Sequence, residues 1–477
     1  MNQKPHTQQD AFTSIRKLIK QKLVEKNIPS ITVAVAKNGA TLWEEGFGWA
    51  DKENQIPADE HTLYSLASIT KPITATGLMI LKEQGKLDLD KPVNHYLGDA
   101  KLKAWVGDQK DATVRRVANH SSGLPLHCQF FYKDDPYSPP PFEETLRRFG
   151  NISAAPGERY KYCNLGYGVL DYVISRVSGK SYPDFIREEV FLPLGMNAAY
   201  VNIGKENEEQ HAIRYGVDGQ PLPFYDFDHR GASAVYCNAH ELVRFGMFHL
   251  KNHLQDHEAI LSDENIDEMQ RPTMKIKEDT GYGIGWEASK QSGYSIVSHN
   301  GVMGGVATQL VLVPSESLAV VVLCNSRQYF LTSLIVKEIL SVMLPGYCFR
   351  SEEEDKQEPV TFKPSPELVG EWSGSVHTYK EDITIRLSIK DSGDIYVKMR
   401  DQLPALLDNT RLQDGFIKGS FSGDIGTEDS NRLPYNLHIS LKPRKQVLNG
   451  SVISISLPGK RPGNALSYWA ELRKMDV

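Results

Sequence analysis

The sequence predicts an α/β domain over residues 1–350 and an all-β barrel over residues 364–477, joined by a linker at 351–363. Three observations carry this. Apolar strand runs stand at both ends of the first region, at 31–36 and again at 306–313 and 318–324, with helical patterns between them. Strands so far apart bury their faces by sharing one sheet, layered with helices. After about residue 350 the chain runs Ser351-Glu352-Glu353-Glu354-Asp355-Lys356-Gln357-Glu358, charged and without an apolar anchor, as a linker should be. Beyond it period-2 alternation takes over, as in Ile383, Ile385, Leu387 and Ile389. A length of 477 residues is also too great for one compact domain.

The elements follow in order. Residues 9–27 carry Ile15, Leu18, Ile19 and Leu23 at helical spacing. Residues 31–36 read as a strand, Asn38-Gly39 as a hairpin turn and Thr41-Leu42-Trp43 as the start of the return strand. A helix begins near Ser68, with Pro72 where a missing N–H costs little. Leu78, Met79, Ile80 and Leu81 make it apolar on most faces, hence central, and Gly85 stops it. Residues 100–160 are rich in Pro, Gly, Ser and aromatics and predict irregular structure around a site. A helix is expected from Ser181 to Met196, turning at Pro193-Leu194-Gly195. The two strand runs joined at Pro314-Ser315 precede a last helix over 328–343. In the second region about eight short strands, with turns at Ser392-Gly393 and Asn449-Gly450, predict a small up-and-down barrel.

Composition narrows the function classes. Hydrophobic residues at 40% and charged ones at 24% describe a soluble globular protein. A net charge of −6 with no basic stripe argues against nucleic acid as a partner. The polar start, Met1-Asn2-Gln3-Lys4-Pro5-His6, has no apolar core behind it, so no signal peptide is expected. No apolar run is long enough to span a membrane, and no membrane partner is expected. Cys128, Cys163, Cys237, Cys324 and Cys348 are scattered and odd in number, so they read as reduced thiols. The expected location is cytoplasmic. His240-Glu241-Leu242-Val243-Arg244 begins like a zinc helix but ends in arginine, and Gly281-Tyr282-Gly283-Ile284-Gly285 lacks dinucleotide spacing. There is no phosphate loop and no G-x-S-x-G elbow. No metal and no organic cofactor are expected, and the oligomeric state stays open.

Ser68-Ile69-Thr70-Lys71 carries the chemistry. At i and i+3 on a helix the hydroxyl and the amine share one face. A serine attacks an acyl group once a base takes its proton, and a buried, neutral lysine is such a base. Ser14-Ile15-Arg16-Lys17 has the same spacing and is a decoy, because nothing else accompanies it. Tyr162-Cys163-Asn164, if extended, sends a phenol and a carboxamide into one cleft. Tyr162 is expected to share a proton with Lys71, and Asn164 to hold Lys71 and a substrate carbonyl. His299-Asn300-Gly301 precedes an apolar strand run. His299 is expected to orient the Tyr162 hydroxyl, Asn300 to bind substrate, and Gly301 to let a substrate backbone lie close. The N–H groups of Ser68 and Val302 are expected to form the oxyanion hole. His120 is expected to brace its loop.

Ser68-x-x-Lys71, Tyr162-x-Asn164 and His299-x-Gly301, in that order, resemble the class C β-lactamase and penicillin-binding-protein superfamily of serine hydrolases. His120-Ser121-Ser122-Gly123-Leu124-Pro125 is similar to its HTSGLP loop, as are Pro156-Gly157-Glu158, Pro193-Leu194-Gly195-Met196 and the segment from Glu241 to Gly246. The resemblance covers about residues 10–345. It implies an antiparallel sheet flanked by helices plus an all-helical region, and an acyl-enzyme on Ser68 with Lys71 and Tyr162 as general bases. Gly370-Glu371-Trp372 resembles the lipocalin Gly-x-Trp. Such C-terminal barrels resemble those of D-aminopeptidases and penicillin-binding-protein-type peptide cyclases, where the barrel can wall one side of the cleft. Penicillin-processing members carry Lys-Thr-Gly where this chain has His299-Asn300-Gly301, which puts an efficient β-lactamase in doubt. The expected function is hydrolysis of an amide or ester in a small-molecule or peptide substrate. The alternatives are acyl transfer or peptide cyclisation through the same intermediate, then a true β-lactamase or a catalytically silent binding protein.

Overall fold

The computed structural model describes residues 10–202, 211–348 and 362–475. The expected linker at 351–363 lies, up to residue 361, outside them. Ser30–Lys37, at one end of the first region, pairs with Leu318–Cys324 at the other, from Ile31 opposite Cys324 to Lys37 opposite Leu318. Its other edge takes Ala40–Asp51. The result is one nine-stranded antiparallel sheet, which continues beyond Leu318–Cys324 through Val306–Val313 and Tyr294–Met303.

Both faces of this sheet are covered, so its central strands read as unbroken apolar runs and not as alternation. Val33, Val35, Val320 and Val322 face the helices Thr13–Glu25 and Tyr329–Met343 through Ile15, Ile19, Ile335 and Ile339. Ala34, Ala36, Leu310, Leu312, Val321 and Leu323 face the other way, into the large core containing the helices Thr70–Glu83 and Ala239–His249. In Thr70–Glu83 every residue from Thr70 to Leu81 is buried, as its apolar sequence predicts. The helix expected from Ser181 to Met196 is shorter. An α-helix at Tyr182–Ile186 widens into one π turn at Arg187–Phe191, which buries Val190 and Phe191. It ends there, because Pro193 offers no N–H to continue it.

The second region is a near-closed antiparallel barrel of nine strands, one more than expected. The first, Gly370–His377, pairs with the last, Ala465–Lys474, and the seam falls between the short Ala405–Leu406 and Asp408–Gln413. Residues 382–389 alternate inward and outward as their sequence predicts. Trp372 is fully buried and donates its indole N–H to the Leu368 carbonyl. Asn449-Gly450 is not a turn but lies inside the strand Val447–Ser456. Gly450 serves close strand approach, since a Cβ there would meet the Ser440 carbonyl oxygen at 2.1 Å. The turn is made by Lys445, at φ 56°, and Gln446.

The barrel is stitched to the segment 126–132. Cys128 and Ala465 exchange both backbone hydrogen bonds, at 2.9 and 2.8 Å. Phe130 N–H donates to Asn464 Oδ1 at 2.9 Å, Tyr132 O–H to the Pro462 carbonyl at 2.8 Å, and Ser467 O–H to the Leu126 carbonyl. Asp429, with a side chain only 1% exposed, accepts from Gln129, Arg148, Tyr379 and Arg432 at 2.5 to 2.8 Å. Asp429→Ala leaves two guanidinium groups without this counter-ion in a poorly solvated interface. The expected loss is about 3 kcal/mol of unfolding free energy, read by urea denaturation. A loss below about 0.5 kcal/mol would show that the interface does not depend on this carboxylate.

Candidate active site

Ser68 sits in a 3₁₀ turn, Ala67–Ile69, that leads into the helix Thr70–Glu83. Ala67 holds φ at 49°, an unusual value for a residue with a side chain, and this sets the angle at which Ser68 leaves the turn. The strand Tyr294–Met303 presses on the same turn. A Cβ on Gly301 would come within 2.2 Å of the Leu66 carbonyl oxygen, so glycine is required there by packing before any substrate arrives. Thr308 O–H donates to that carbonyl at 2.8 Å.

Lys71 is fully buried. Its Nζ lies 2.8 Å from Asn164 Oδ1, 3.0 Å from the Ala232 carbonyl oxygen and 3.1 Å from Ser68 Oγ. A neutral amine has two N–H bonds and one lone pair. Asn164 Oδ1 and the Ala232 carbonyl are pure acceptors placed to take two N–H bonds, so in the neutral amine the lone pair is left for the serine hydroxyl; in the charged form the third N–H donates to it. Burial pushes the amine down to about 7, and no carboxylate offsets it.

Tyr162 is placed on the other side of the serine. Its hydroxyl is close enough to Ser68 to interact with it, and Lys71 Nζ sits 4.7 Å from the centre of its ring. Burial holds the phenol well above its ordinary value despite that interaction, so it is protonated at neutral pH. Tyr162 ends the irregular segment and Asn164 is the first residue of the helix Asn164–Ser178. His120 braces them: its ring lies 4.4 Å from that of Tyr162, and its Nδ1 accepts from the Cys163 N–H at 3.2 Å.

His299 is buried beside the pair but bonds to a different tyrosine. Its Nδ1–H donates to the Asn300 carbonyl at 2.8 Å, which leaves Nε2 to accept from Tyr282 O–H at 2.8 Å. Burial, then Lys71, pushes the imidazole down to about 3, so it is neutral. The Tyr162 ring centre is 6.5 Å away, and the expectation that His299 orients the Tyr162 hydroxyl gives way to an orientation of Tyr282. The partner strand Glu287–Gln291 covers Tyr294–Met303 only as far as Ser298, so one edge of 299–303 is open to the site. The N–H of Val302 is on this segment.

A cavity of about 540 Å³ opens over Ser68, lined also by Asn164, Val302 and Cys128. Asn300 is exposed and does not line it. Its far wall belongs to the barrel: residues 455–463 line it, and Pro462 packs so closely on Gly304 that a Cβ there would overlap its ring. A barrel wall on one side of the cleft is what the resemblance implied; sequence reasoning missed which residues form it, and missed the Ala232 carbonyl, Tyr282 and Cys128. Pro458-Gly459-Lys460-Arg461-Pro462-Gly463 is a readable turn signal that marks the wall residues.

Next to the cavity His127, Asp228 and His229 are buried together, with ligand atoms within 4.8 Å. His127 Nε2 is 2.7 Å and His229 Nδ1 2.6 Å from the carboxylate oxygens of Asp228. The remaining nitrogens, His127 Nδ1 and His229 Nε2, have no hydrogen-bond partner among the described residues. The three side chains form a hydrogen-bonded clamp centred on the Asp228 carboxylate. Burial alone would raise the Asp228 carboxyl, but the imidazoles hold it well below the usual range. The clamp ties 126–132 to the turn at 230–233 that carries the Ala232 carbonyl.

The sequence model of the Beta-lactamase family matches residues 15–332. Unguisins hydrolase ungD' of Aspergillus campestris is 28% identical over 340 residues, 67% of this chain and 63% of that protein. The chain thus spans less than two thirds of that relative. The structure of the octameric penicillin-binding protein homologue from Pyrococcus abyssi shares the fold with a TM-score of 0.60 at 23% identity, over 96% of this chain and 99% of that one. The crystal structure of SurE with D-Leu does so with a TM-score of 0.64 at 18% identity, over 98% and 100%.

Proposed function

The chain belongs to the Beta-lactamase family, and on that footing we propose that it hydrolyses amide or ester bonds through an acyl-enzyme on Ser68. The observation that carries this is the fully buried Lys71 amine, 3.1 Å from Ser68 Oγ and within reach of the Asn164 Oδ1 and Ala232 carbonyl acceptors. Lys71 takes the serine proton as Ser68 Oγ attacks the carbonyl carbon. The N–H groups of Ser68 and Val302 receive the oxyanion; one such donor contributes about 3 kcal/mol in a transition state. As the tetrahedral adduct collapses, the leaving group takes a proton from Tyr162, which is re-protonated from Lys71. A protonated phenol relays in this way and does not act as a free phenolate base. Water then attacks the ester with the same groups in reverse order.

The neutral His299 gives no cation where a penicillin-specialised enzyme has lysine, which supports peptidase, amidase or esterase chemistry over drug hydrolysis. A second reading, acyl transfer to an amine, is favoured by the barrel wall, which encloses one side of the cavity. A fluorophosphonate is expected to leave one adduct on the Ser68 peptide by mass spectrometry. Product analysis with an added amine then separates hydrolysis from transfer. An unmodified Ser68 peptide would overturn the acyl-enzyme reading.

A further inference from the structure

Lys71 meets two acceptors, Asn164 Oδ1 and the Ala232 carbonyl. The second is a backbone group on the short turn Arg230–Ser233, so its place depends on what holds that turn. Two helices do. From Asn164–Ser178, Asp171 accepts the Gly231 N–H at 2.5 Å. From Thr70–Glu83, the Thr74 hydroxyl donates to the Gly231 carbonyl at 2.7 Å, and Thr70 Oγ1 accepts the Val235 N–H at 3.1 Å. Both peptide groups of Gly231 are therefore pinned just before the Ala232 carbonyl. The fit is close: a Cβ on Gly231 would come within 2.6 Å of the Tyr167 carbonyl oxygen and 2.7 Å of Asp171 Cβ. Asn164 and Asp171 stand about two helical turns apart and share a face. One helix thus reaches Lys71 twice, directly through Asn164 and by way of the turn through Asp171.

We propose that Asp171 is a positioning residue for the general base: by holding the Gly231 N–H it aims the Ala232 carbonyl at Lys71 and keeps the amine directed at Ser68. This rests on the Ser68 reading above. The effect is electrostatic as well as geometric. A carbonyl bonds a charged ammonium more strongly than a neutral amine, so the Ala232 carbonyl opposes burial in setting where Lys71 titrates. With the carbonyl displaced, the amine loses its proton at lower pH and loses its aim as well. The other titratable groups facing Lys71 keep their charge state near 7. Burial pushes the phenols of Tyr162 and Tyr167 and the thiols of Cys128 and Cys163 up. It pushes the imidazoles of His120, His229 and His299 down. Asp171 itself faces Arg230, Asp228 and the Tyr182 hydroxyl. Burial raises its carboxyl to about 7 against the Gly231 N–H and Arg230, so its bond and its charge need separate variants.

The test follows the rate of Ser68 labelling by a fluorophosphonate against pH in the native protein and two variants. Asp171→Asn keeps an acceptor oxygen for the Gly231 N–H and removes the charge, whereas Asp171→Ala removes both. Asp171→Ala is expected to label about tenfold more slowly on its high-pH plateau, with a midpoint about one pH unit below the native one. Asp171→Asn should restore most of the rate and bring the midpoint back to within about 0.3 pH units. A residue that only stabilises the fold would lower the labelled fraction and leave the midpoint in place. Where Asp171→Ala does not fold, Thr74→Val, which removes the donor to the Gly231 carbonyl and keeps the shape, is expected to shift the midpoint the same way. An unchanged or higher midpoint in the folded variant would overturn the inference alone. An Asn variant as impaired as the Ala variant would do so too, since charge and not the bond would then matter. A native protein that the probe leaves unlabelled at every pH would overturn the Ser68 reading and the inference with it.

Discussion

Ser68→Ala is expected to reduce turnover of any cleaved ester or amide by about 10⁴-fold or more, as loss of a nucleophile does in serine hydrolases. The fold should survive the change. Ser68 is half-buried, and among the described residues its hydroxyl faces Lys71 and Tyr162, both of which keep other supports. Lys71 retains Asn164 and the Ala232 carbonyl, and Tyr162 retains its packing on His120. Steady-state kinetics beside circular dichroism reads the result. A variant that is folded and turns over within about tenfold of the native protein would sink the assignment of Ser68 as nucleophile.

Lys71→Met is expected to cost at least about 10³-fold in acylation, since it removes the base while filling the same volume. In the native protein the acylation rate should climb as pH rises through about 7, where the buried amine loses its proton. Stability gives a second, independent readout. The amine titrates at about 7 when folded and near its ordinary 10.5 when unfolded. Below 7 both states are charged and the pH has no leverage. Between 7 and 10.5 the unfolded chain binds one more proton, so stability rises with pH. The native protein should therefore gain on Lys71→Met by about 1.4 kcal/mol per pH unit across that window. A pH-independent difference between the two would mean that Lys71 is not neutral in the fold.

The sheet was legible in the sequence because strands buried on both faces are written as continuous apolar runs, as in 306–313 and 318–324. Ser68 and Lys71 were legible because helix geometry converts a spacing of three into contact. The Ala232 carbonyl was not, since a backbone acceptor carries no residue identity. The Tyr282–His299 bond was not either, because it depends on how strands cross and not on any local pattern. Asn449-Gly450 misled for a related reason: glycine there answers a neighbouring strand, and the local signal is indistinguishable from a turn. The Pro and Gly residues of 458–463 carry a turn signal that was passed over, and the seat of this loop over the cavity depends on docking through Asp429 and Ala465, contacts between residues hundreds of positions apart.

The backbone pairing of Cys128 with Ala465 also fixes an order of events during synthesis. Ser68, Lys71, Tyr162 and His299 all leave the ribosome before the barrel begins. The loop at 457–463 follows only with the last barrel strands, and it is locked in place when Ala465–Lys474 pairs with Val447–Ser456 along one edge and with Gly370–His377 and Cys128 along the other. A nascent chain thus assembles its nucleophile and base early, in an open and watery groove, and closes the cavity last. The order of synthesis thus separates the appearance of a reactive serine from the appearance of the chamber around it.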